Sequence, residues 1–399
     1  MSQWILVLNC GSSSIKYGLF DASVTPLPRK PARHGKVDRI KSTDPVLVES
    51  GRSPQAVTLD VTAPYGAALD LIWRRVQEHL RGEPLQCVVH RIVHGGSKYF
   101  SAVRLSIDVL NDLRSLIPLA PLHQPFALEA VERFLRIRPD ILQVACFDTA
   151  FHRSLPRTEQ MLALPRSAWD RGIRRYGFHG LSYEYVATAL AELHGERAHG
   201  RCIVAHLGSG ASLCAMRNLR SVATTMGFSA LDGLVMGTRC GSLDPGAVIY
   251  LMEVEKLGLE EVAHLLYHES GLLGISGLSP DPRDLLAAED TDERARDALE
   301  IYVYRICREI GALVASLGGL DLLVFTAGVG ENNAEIRKRV CQRLAYLGLV
   351  LDEQANQEHR NVISAPHSTV LVGVEPTNEE WIAARHALDL CTLTHENRG

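Results

Sequence analysis

The sequence contains no stretch approaching the roughly 18–20 consecutive apolar residues that a membrane helix needs, which excludes a helical membrane protein. Its first residues, Met1-Ser2-Gln3-Trp4, carry no positively charged region and no small-residue cleavage site, and their apolar run stops at Leu8. A secretory signal is therefore not expected. The nine cysteines are scattered, odd in number and without a Cys-x-x-Cys pair. That pattern argues against a disulfide framework or a zinc cluster and predicts reduced thiols and a cytoplasmic location. An excess of either charge is also lacking: 42 Lys and Arg stand against 46 Asp and Glu, a net of −4. Neither nucleic acid nor a membrane surface is expected as a partner, and any anion must be held by local groups. The Walker A pattern G-x-x-x-x-G-K-[ST] is absent as well. What remains is ordinary globular composition, 46% hydrophobic and 22% charged, over 399 residues, enough for two domains.

Hydrophobic patterning predicts mixed α/β structure. Trp4–Leu8 reads as a buried strand, Asn9–Ser14 as a polar turn and Ile15–Phe20 as a second strand. Residues 23–60 look like irregular hairpins. Helical spacing follows over 66–80 and 125–137, with short strands at Cys87–Arg91 and Leu142–Phe147. A boundary is expected near residue 150. The second half repeats this organisation, with a strand over Cys202–His206 feeding a glycine-rich turn, a long helix over 291–317 closed by Gly318-Gly319, and a strand over Leu322–Thr326. A glycine loop, a helix from about Ala334 and a last helix from Thr377 to about Leu393 complete it. Both halves open with a strand, a Gly/Ser-rich turn and a further strand, so a ligand is expected at the carboxyl ends of strands, between the halves.

Three of these turns could carry chemistry. Asn9-Cys10-Gly11-Ser12-Ser13-Ser14-Ile15-Lys16 offers backbone N–H groups, hydroxyls and a lysine to a phosphate, although a serine-rich hairpin turn reads the same way. His206-Leu207-Gly208-Ser209-Gly210-Ala211-Ser212 and Gly328-Val329-Gly330-Glu331-Asn332 follow strands in the same manner, and three such loops together point to a nucleotide. Arg91 at a strand end and Arg239 between glycines offer guanidinium forks suited to a carboxylate and a phosphoryl group, although a surface or interdomain ion pair is the commoner use of an arginine. Asp148 ends a buried strand, where it could polarise a nucleophile or hold a metal, although capping the next helix is the commoner use of such a residue. His123 and His179 are flanked by turn formers, without metal-site spacing. Thr377 and Glu380 fit a T-x-x-E capping box, and Glu379 sits in a first helical turn that favours acids anyway.

Taken in order, these blocks and His90–Gly96, Ala120–His123, Phe147–His152, Arg175–Gly180, Met236–Arg239 and Glu375–Glu380 closely resemble the acetate kinase family, within the acetate and sugar kinase, Hsp70 and actin superfamily. The resemblance runs essentially end to end. It implies an α/β fold of two domains with a duplicated ribonuclease H-like, actin-like ATPase core and a cleft between them. Residues 1–149 with the C-terminal helix of about 379–395 would form one domain and residues 150–378 the other, the second providing a homodimer interface. The implied reaction is Mg²⁺-dependent, with Mn²⁺ as a substitute, and moves a phosphoryl group from ATP to acetate, leaving ADP and acetyl phosphate.

By position, the resemblance makes Asn9 and Glu379 the metal residues and Ser14 and Lys16 the contacts of the transferring phosphate. Arg91 and Arg239 would hold carboxylate and phosphoryl group, Asp148 would be the acid/base or orienting residue, His179 the transition-state stabiliser and His123 an assistant. His206, Leu207, Gly208, Ser209 and Gly210, with Asp281, Pro282 and Arg283, and Gly328, Val329, Gly330, Glu331 and Asn332, would be the nucleotide segments. Val93, Leu122, Phe178 and Ala230 would wall the acyl pocket. Three positions depart from the family's usual residues: Ser209 for Asn, Ala230 for Pro and Ser242 for Asp. A propionate or butyrate kinase is the nearest alternative reading, and a non-catalytic actin-like ATPase the alternative of another class. Because acetate is already an anion at neutral pH, no proton need be removed for attack, and Asp148 is expected to orient Arg91 or a metal-bound water.

Overall fold

The computed structural model describes residues 3–121 and 123–396. The chain divides into two compact units, with breaks at Ala150/Phe151 and Thr377/Asn378; the segment after Asn378 belongs with the first unit.

The first unit is built on an eight-stranded sheet. Its strands are β1 (Trp4–Cys10), β2 (Ile15–Asp21), β3 (Arg33–Asp38), β4 (Val46–Glu49), β5 (Gln55–Ala56), β6 (Leu85–Ile92), β7 (Val103–Arg104) and β8 (Leu142–Phe147). They lie in the order β5-β4-β3-β2-β1-β6-β8-β7. The strands β5 to β1 are antiparallel in succession, whereas β1, β6 and β8 run parallel. The irregular hairpins expected over 23–60 are thus β3, β4 and β5. Strand β1 is buried on both faces, the mark of a covered sheet. Leu6 and Leu8 join a core with Leu69, Ile72 and Val76 of helix Pro64–Leu80 and Phe134 of helix Gln124–Ile137. Helix Glu379–Glu396 packs on β1 and β6.

The second unit carries a five-stranded sheet of β9 (Arg201–Leu207), β10 (Ala211–Arg217), β11 (Arg220–Thr224), β12 (Leu322–Thr326) and β13 (Leu371–Val374), ordered β11-β10-β9-β12-β13. Pairs β11/β10 and β10/β9 are antiparallel; β9/β12 and β12/β13 are parallel. The run β3-β2-β1-β6-β8 of the first sheet has the same order and directions, so the repeat sensed in the sequence is a repeat of topology. Helix Glu293–Leu317, with Leu299, Ile306, Ile310 and Leu313 buried, packs on β9, β10 and β11 and ends at Gly318, whose φ of +73° lets the chain turn away from the helix.

In both sheets the parallel strands deliver their carboxyl ends to one edge. In the first, β1, β6 and β8 end beside Asn9, Arg91 and Asp148. In the second, β9, β12 and β13 end beside Gly208, Ala327 and Glu375.

Two local expectations are corrected. The Gly328–Asn332 segment is not an open loop: Ala327–Asn332 forms a short helix. Ala327 enters it at φ 65°, and the Glu331 carboxylate accepts its N–H at 2.8 Å, which closes the turn. Thr377 and Glu380 do not form a capping box. Asn378 Oδ1 accepts the Trp381 N–H at 3.1 Å in its place, and Thr377 Oγ1 is buried without a hydrogen-bond partner.

All nine cysteines are free. Three buried histidines matter for stability. Burial lowers the pKa of His90, His94 and His152 from the ordinary 6.5 to about 4 in each case. Below about pH 6.5 the unfolded chain takes up protons that the folded chain refuses, so stability falls as pH drops from there toward 4. Each histidine contributes a loss of about 3 kcal/mol over that interval. Urea midpoints measured across it should decline steeply, and His152→Gln should flatten the decline.

Candidate active site

In the first unit, the hairpin of β1 and β2 sets Asn9 directly opposite Lys16. Its turn is closed by the Gly11 N–H donating to the Ser14 carbonyl at 2.9 Å. Parallel pairing of β6 with β8 sets Arg91 opposite Cys146, and the Asp148 N–H continues the ladder onto the Ile92 carbonyl. Arg91 therefore meets Asp148 although 57 residues separate them: Nε donates to Oδ1 at 2.9 Å and Nη2 to Oδ2 at 2.7 Å. Its remaining nitrogen, Nη1, pairs with Glu379 Oε2 at 2.6 Å. Burial works against the Arg91 charge, but Asp148 and Glu379 more than offset it and hold its pKa above the ordinary value. Asp148 is only 2% exposed, so its carboxylate is committed to this fork. The arrangement is a guanidinium locked in plane by two carboxylates, the geometry of an oriented anion-binding group.

Next to Glu379, Glu380 is expected from the sequence only as part of a capping box, whereas the structure sets it near Lys16 and Arg91. Burial raises its carboxyl pKa, with Lys16 opposing. A side chain at Gly18 would collide with its Oε2, which explains a glycine inside β2. Among the described residues no three His, Cys, Asp or Glu side chains gather into a metal cage. Asn9 and Glu379 nevertheless offer an amide and a carboxylate oxygen, the hard donors that Mg²⁺ prefers. That ion typically takes one or two protein oxygens and completes its shell with water and phosphate, so the residues present fit it.

In the second unit, His179 stands at φ 58° immediately before helix Gly180–His194. Its ring stacks on His206 at 4.1 Å between centroids and 14° between planes. His179 Nδ1 lies 2.8 Å from Ser212 Oγ, and the Tyr183 hydroxyl lies 2.6 Å from the same oxygen. Burial raises the Tyr183 pKa well above the ordinary value, so it remains a hydroxyl. A Cβ at Gly210 would come within 3.4 Å of His179 Nε2 and 3.6 Å of Arg239 Nη1, which places the imidazole edge and the guanidinium on one spot of the glycine loop. Arg239 Nη1 donates to the Ala230 carbonyl at 3.0 Å. Burial lowers its pKa and Tyr267 opposes, and an arginine stays charged through such a shift.

The three expected nucleotide segments meet. A cavity of about 530 Å³ is lined by Gly208 and Ser209, by Asp281, Pro282 and Arg283, and by Gly328, Val329 and Asn332, with Arg239 also on its wall. Asp281 Oδ1 accepts the Arg283 N–H at 2.9 Å, and the Arg283 side chain returns to the same carboxylate and lowers its pKa. Beneath the Ala327–Asn332 turn lies Arg337, fully buried. Its guanidinium donates to the carbonyls of Gly330, Glu331 and Asn356 and to Asn356 Oδ1. Burial lowers its pKa to about 10. Arg337→Met would leave those acceptors unpaired, at about 1–3 kcal/mol each. Steady-state kinetics should show the KM for nucleotide raised several-fold while kcat at saturation is retained.

Other expected residues are less gathered. His123 precedes helix Gln124–Ile137. Val93 belongs to the first unit, Phe178 and Ala230 to the second, and Leu122 lies outside the described residues. Phe178 is only 1% exposed, and its carbonyl lies 2.8 Å from His152 Nε2. Ser242 donates to Asp232 Oδ1 at 2.7 Å, a bond an aspartate could not make. Ser209 lines the nucleotide cavity, where its hydroxyl reaches less far than an amide.

Known proteins share this pattern along nearly the whole chain. Residues 4–385 match the acetokinase family. The chain is 46% identical to the acetate kinase of Rhodopseudomonas palustris strain TIE-1 over 391 residues, covering 97% of this chain and 98% of that one. Its fold is similar to that of the acetate kinase of Porphyromonas gingivalis, with a TM-score of 0.86, 37% identity and coverage of 97% and 99%. It is also similar to that of a propionate kinase from Francisella tularensis, with a TM-score of 0.87, 34% identity and coverage of 96% and 98%. The chain is a member of the acetokinase family, with that family's α/β, actin-like ATPase fold.

Proposed function

We propose that the chain is an acetate kinase, catalysing reversible transfer of the ATP γ-phosphoryl group to acetate. The observation that supports this most directly is the convergence of the Gly208, Asp281 and Gly328 segments on one cavity with Arg239 on its wall, in a chain so similar to acetate kinases over nearly its whole length. In the forward direction a carboxylate oxygen of acetate attacks the γ-phosphorus in line. The bond to the bridging oxygen breaks, ADP leaves with that oxygen, and no proton is transferred. The barrier is electrostatic, an anion approaching a polyanion, and positioned cations lower it.

ATP would sit in the 530 Å³ cavity, with His179 and Arg239 acting on the phosphoryl group. Lys16 and Ser14 would contact the phosphate and Arg91 the carboxylate, with Asp148 keeping Arg91 in plane. Asn9 and Glu379 would hold Mg²⁺, with Mn²⁺ as its substitute; the ion neutralises phosphate charge when bound. Asp148 has no proton to remove and is a positioning residue in this reading. His123 would assist near the phosphoryl group.

Acyl preference is a second reading with its own support: Ala230 is smaller than proline, and one similar structure is a propionate kinase. A coupled assay with acetate, propionate and butyrate tests both. Highest kcat/KM on acetate is expected. A preference for propionate or butyrate would move the assignment within the family, and ATP turnover independent of any acid would overturn it.

Helix Pro245–Glu253 has no buried residue, and Ile249, Tyr250, Val254 and Leu259 are exposed in and beside it. Exposed apolar side chains grouped along one short segment call for a cover, and a second copy of the chain is the proposed one. Light scattering should report a dimer. No described helix is long and apolar enough to cross a membrane; a cytoplasmic location is part of the proposal.

A further inference from the structure

A cavity of about 220 Å³ in the first unit gathers charge that the kinase reading leaves unused. Arg33, Arg52, Arg75 and Arg81 line it, against two carboxylates, Glu49 and Glu78. The carboxylates are already committed. Glu78 Oε2 pairs with Arg75 Nη1 at 3.0 Å. Glu49 Oε2 pairs with Arg52 Nη1 at 3.3 Å, while Glu49 Oε1 accepts the Tyr17 hydroxyl at 2.7 Å. Arg33 and Arg81 have no carboxylate partner among the described residues. Arg33 Nε donates to the neutral Nδ1 of His79 at 3.3 Å. Burial lowers the His79 pKa, and Arg33 and Arg81 lower it further with the Glu83 carboxylate opposing, which places both cations near one ring. Arg75 Nε is buried without a hydrogen-bond partner, although Glu49 Oε2 stands 3.7 Å away.

Two guanidinium groups with no carboxylate partner among the described residues therefore line a polar hollow less than half the size of the 530 Å³ nucleotide cavity. Guanidinium forks match phosphate and carboxylate oxygens, and a double surplus of positive charge matches two negative charges. The small volume suits a ligand smaller than a nucleotide. We propose that this cavity is an accessory binding site for a compact dianion, a phosphate monoester or a dicarboxylate, held by Arg33 and Arg81. Its Tyr17 wall is the strand neighbour of Lys16, on the opposite face of β2, so the site is distinct from the phosphate loop while sharing a strand with it.

Calorimetric titration of the full chain with glycerol 3-phosphate and, separately, succinate tests the site. Saturable binding of at least one probe is expected. Arg33→Gln/Arg81→Gln should weaken it about tenfold or more, whereas Arg239→Gln should not. Kinase turnover retained by the double variant shows that it is folded and separates this result from the fate of the kinase reading. Binding of one probe alone assigns phosphate or dicarboxylate chemistry. Binding of neither, binding that survives in the double variant, or binding lost in Arg239→Gln would overturn the proposal.

Discussion

Arg91→Ala should lower kcat by about 10²–10³-fold, the scale of losing one preorganised electrostatic donor. The size follows from how completely the side chain is constrained. Asp148 takes Nε and Nη2, Glu379 takes Nη1, and the guanidinium has no rotamer left to lose when an anion arrives. Its removal also strands Asp148, only 2% exposed, as a buried carboxylate without its counter-ion. A stability loss of about 3–5 kcal/mol should accompany the kinetic loss, visible as a lower urea midpoint. Arg91→Lys separates the two effects: it keeps a charge beside Asp148 and recovers stability, but a lysine cannot reproduce the fork, so kcat stays low. The role given to Asp148 can be read from a double-mutant cycle. Acting only through Arg91, Asp148→Asn should slow the wild-type enzyme but add little to Arg91→Ala. Additive losses would instead mean that Asp148 has a separate part in the chemistry, and an unchanged kcat in Arg91→Ala would remove Arg91 from it.

The same pair shows where the sequence is legible and where it stops. Leu142–Phe147 and Leu322–Thr326 are recognisable as strands because short apolar runs between turn formers have few other uses. Gly318 marks a helix end for an equally local reason. That Arg91 and Asp148 touch depends on β6 and β8 being neighbours, a matter of strand order that no spacing encodes. The same limit applies to the three segments around the nucleotide cavity, which only the β9-β12 pairing and the short helices behind it bring together. The errors have a common cause. The Ala327 turn is closed by Glu331, the last helix is capped by Asn378 in preference to Thr377, and Glu380 is drawn to the interior beside Lys16. Each outcome is a competition between a local motif and a tertiary contact, and the tertiary contact prevails. Arg337 is the extreme case: an arginine on an otherwise charged helix reads as solvated, yet it is fully buried among carbonyls.

His179→Ala should cost kcat about as much as Arg91→Ala, roughly 10²–10³-fold, with the KM for ATP little changed. The hydrogen-bond pattern around the ring favours one tautomer of the imidazole. Ser212 Oγ sits between Tyr183 and His179 Nδ1 and has one proton to give. If His179 donated to Ser212, the serine oxygen could accept from both His179 and Tyr183, but the proton of the fully buried Ser212 would then have neither of them as acceptor. The opposite direction satisfies every group: Tyr183 donates to Ser212, and Ser212 donates to Nδ1. That order leaves the proton on Nε2, the nitrogen beside Gly210 and Arg239, where a neutral imidazole can donate to an anionic oxygen. Tyr183→Phe should then relax the choice of tautomer without moving the ring, which His206 still holds by stacking. A loss of a few-fold in kcat at constant KM is expected. Ser212→Ala should lose more, because no hydroxyl remains to donate to Nδ1 and the proton can settle on the wrong nitrogen. A Ser212→Ala enzyme with unchanged kcat but a raised KM for ATP would mean that the hydroxyl relay only shapes the loop, and that the tautomer of His179 is set elsewhere.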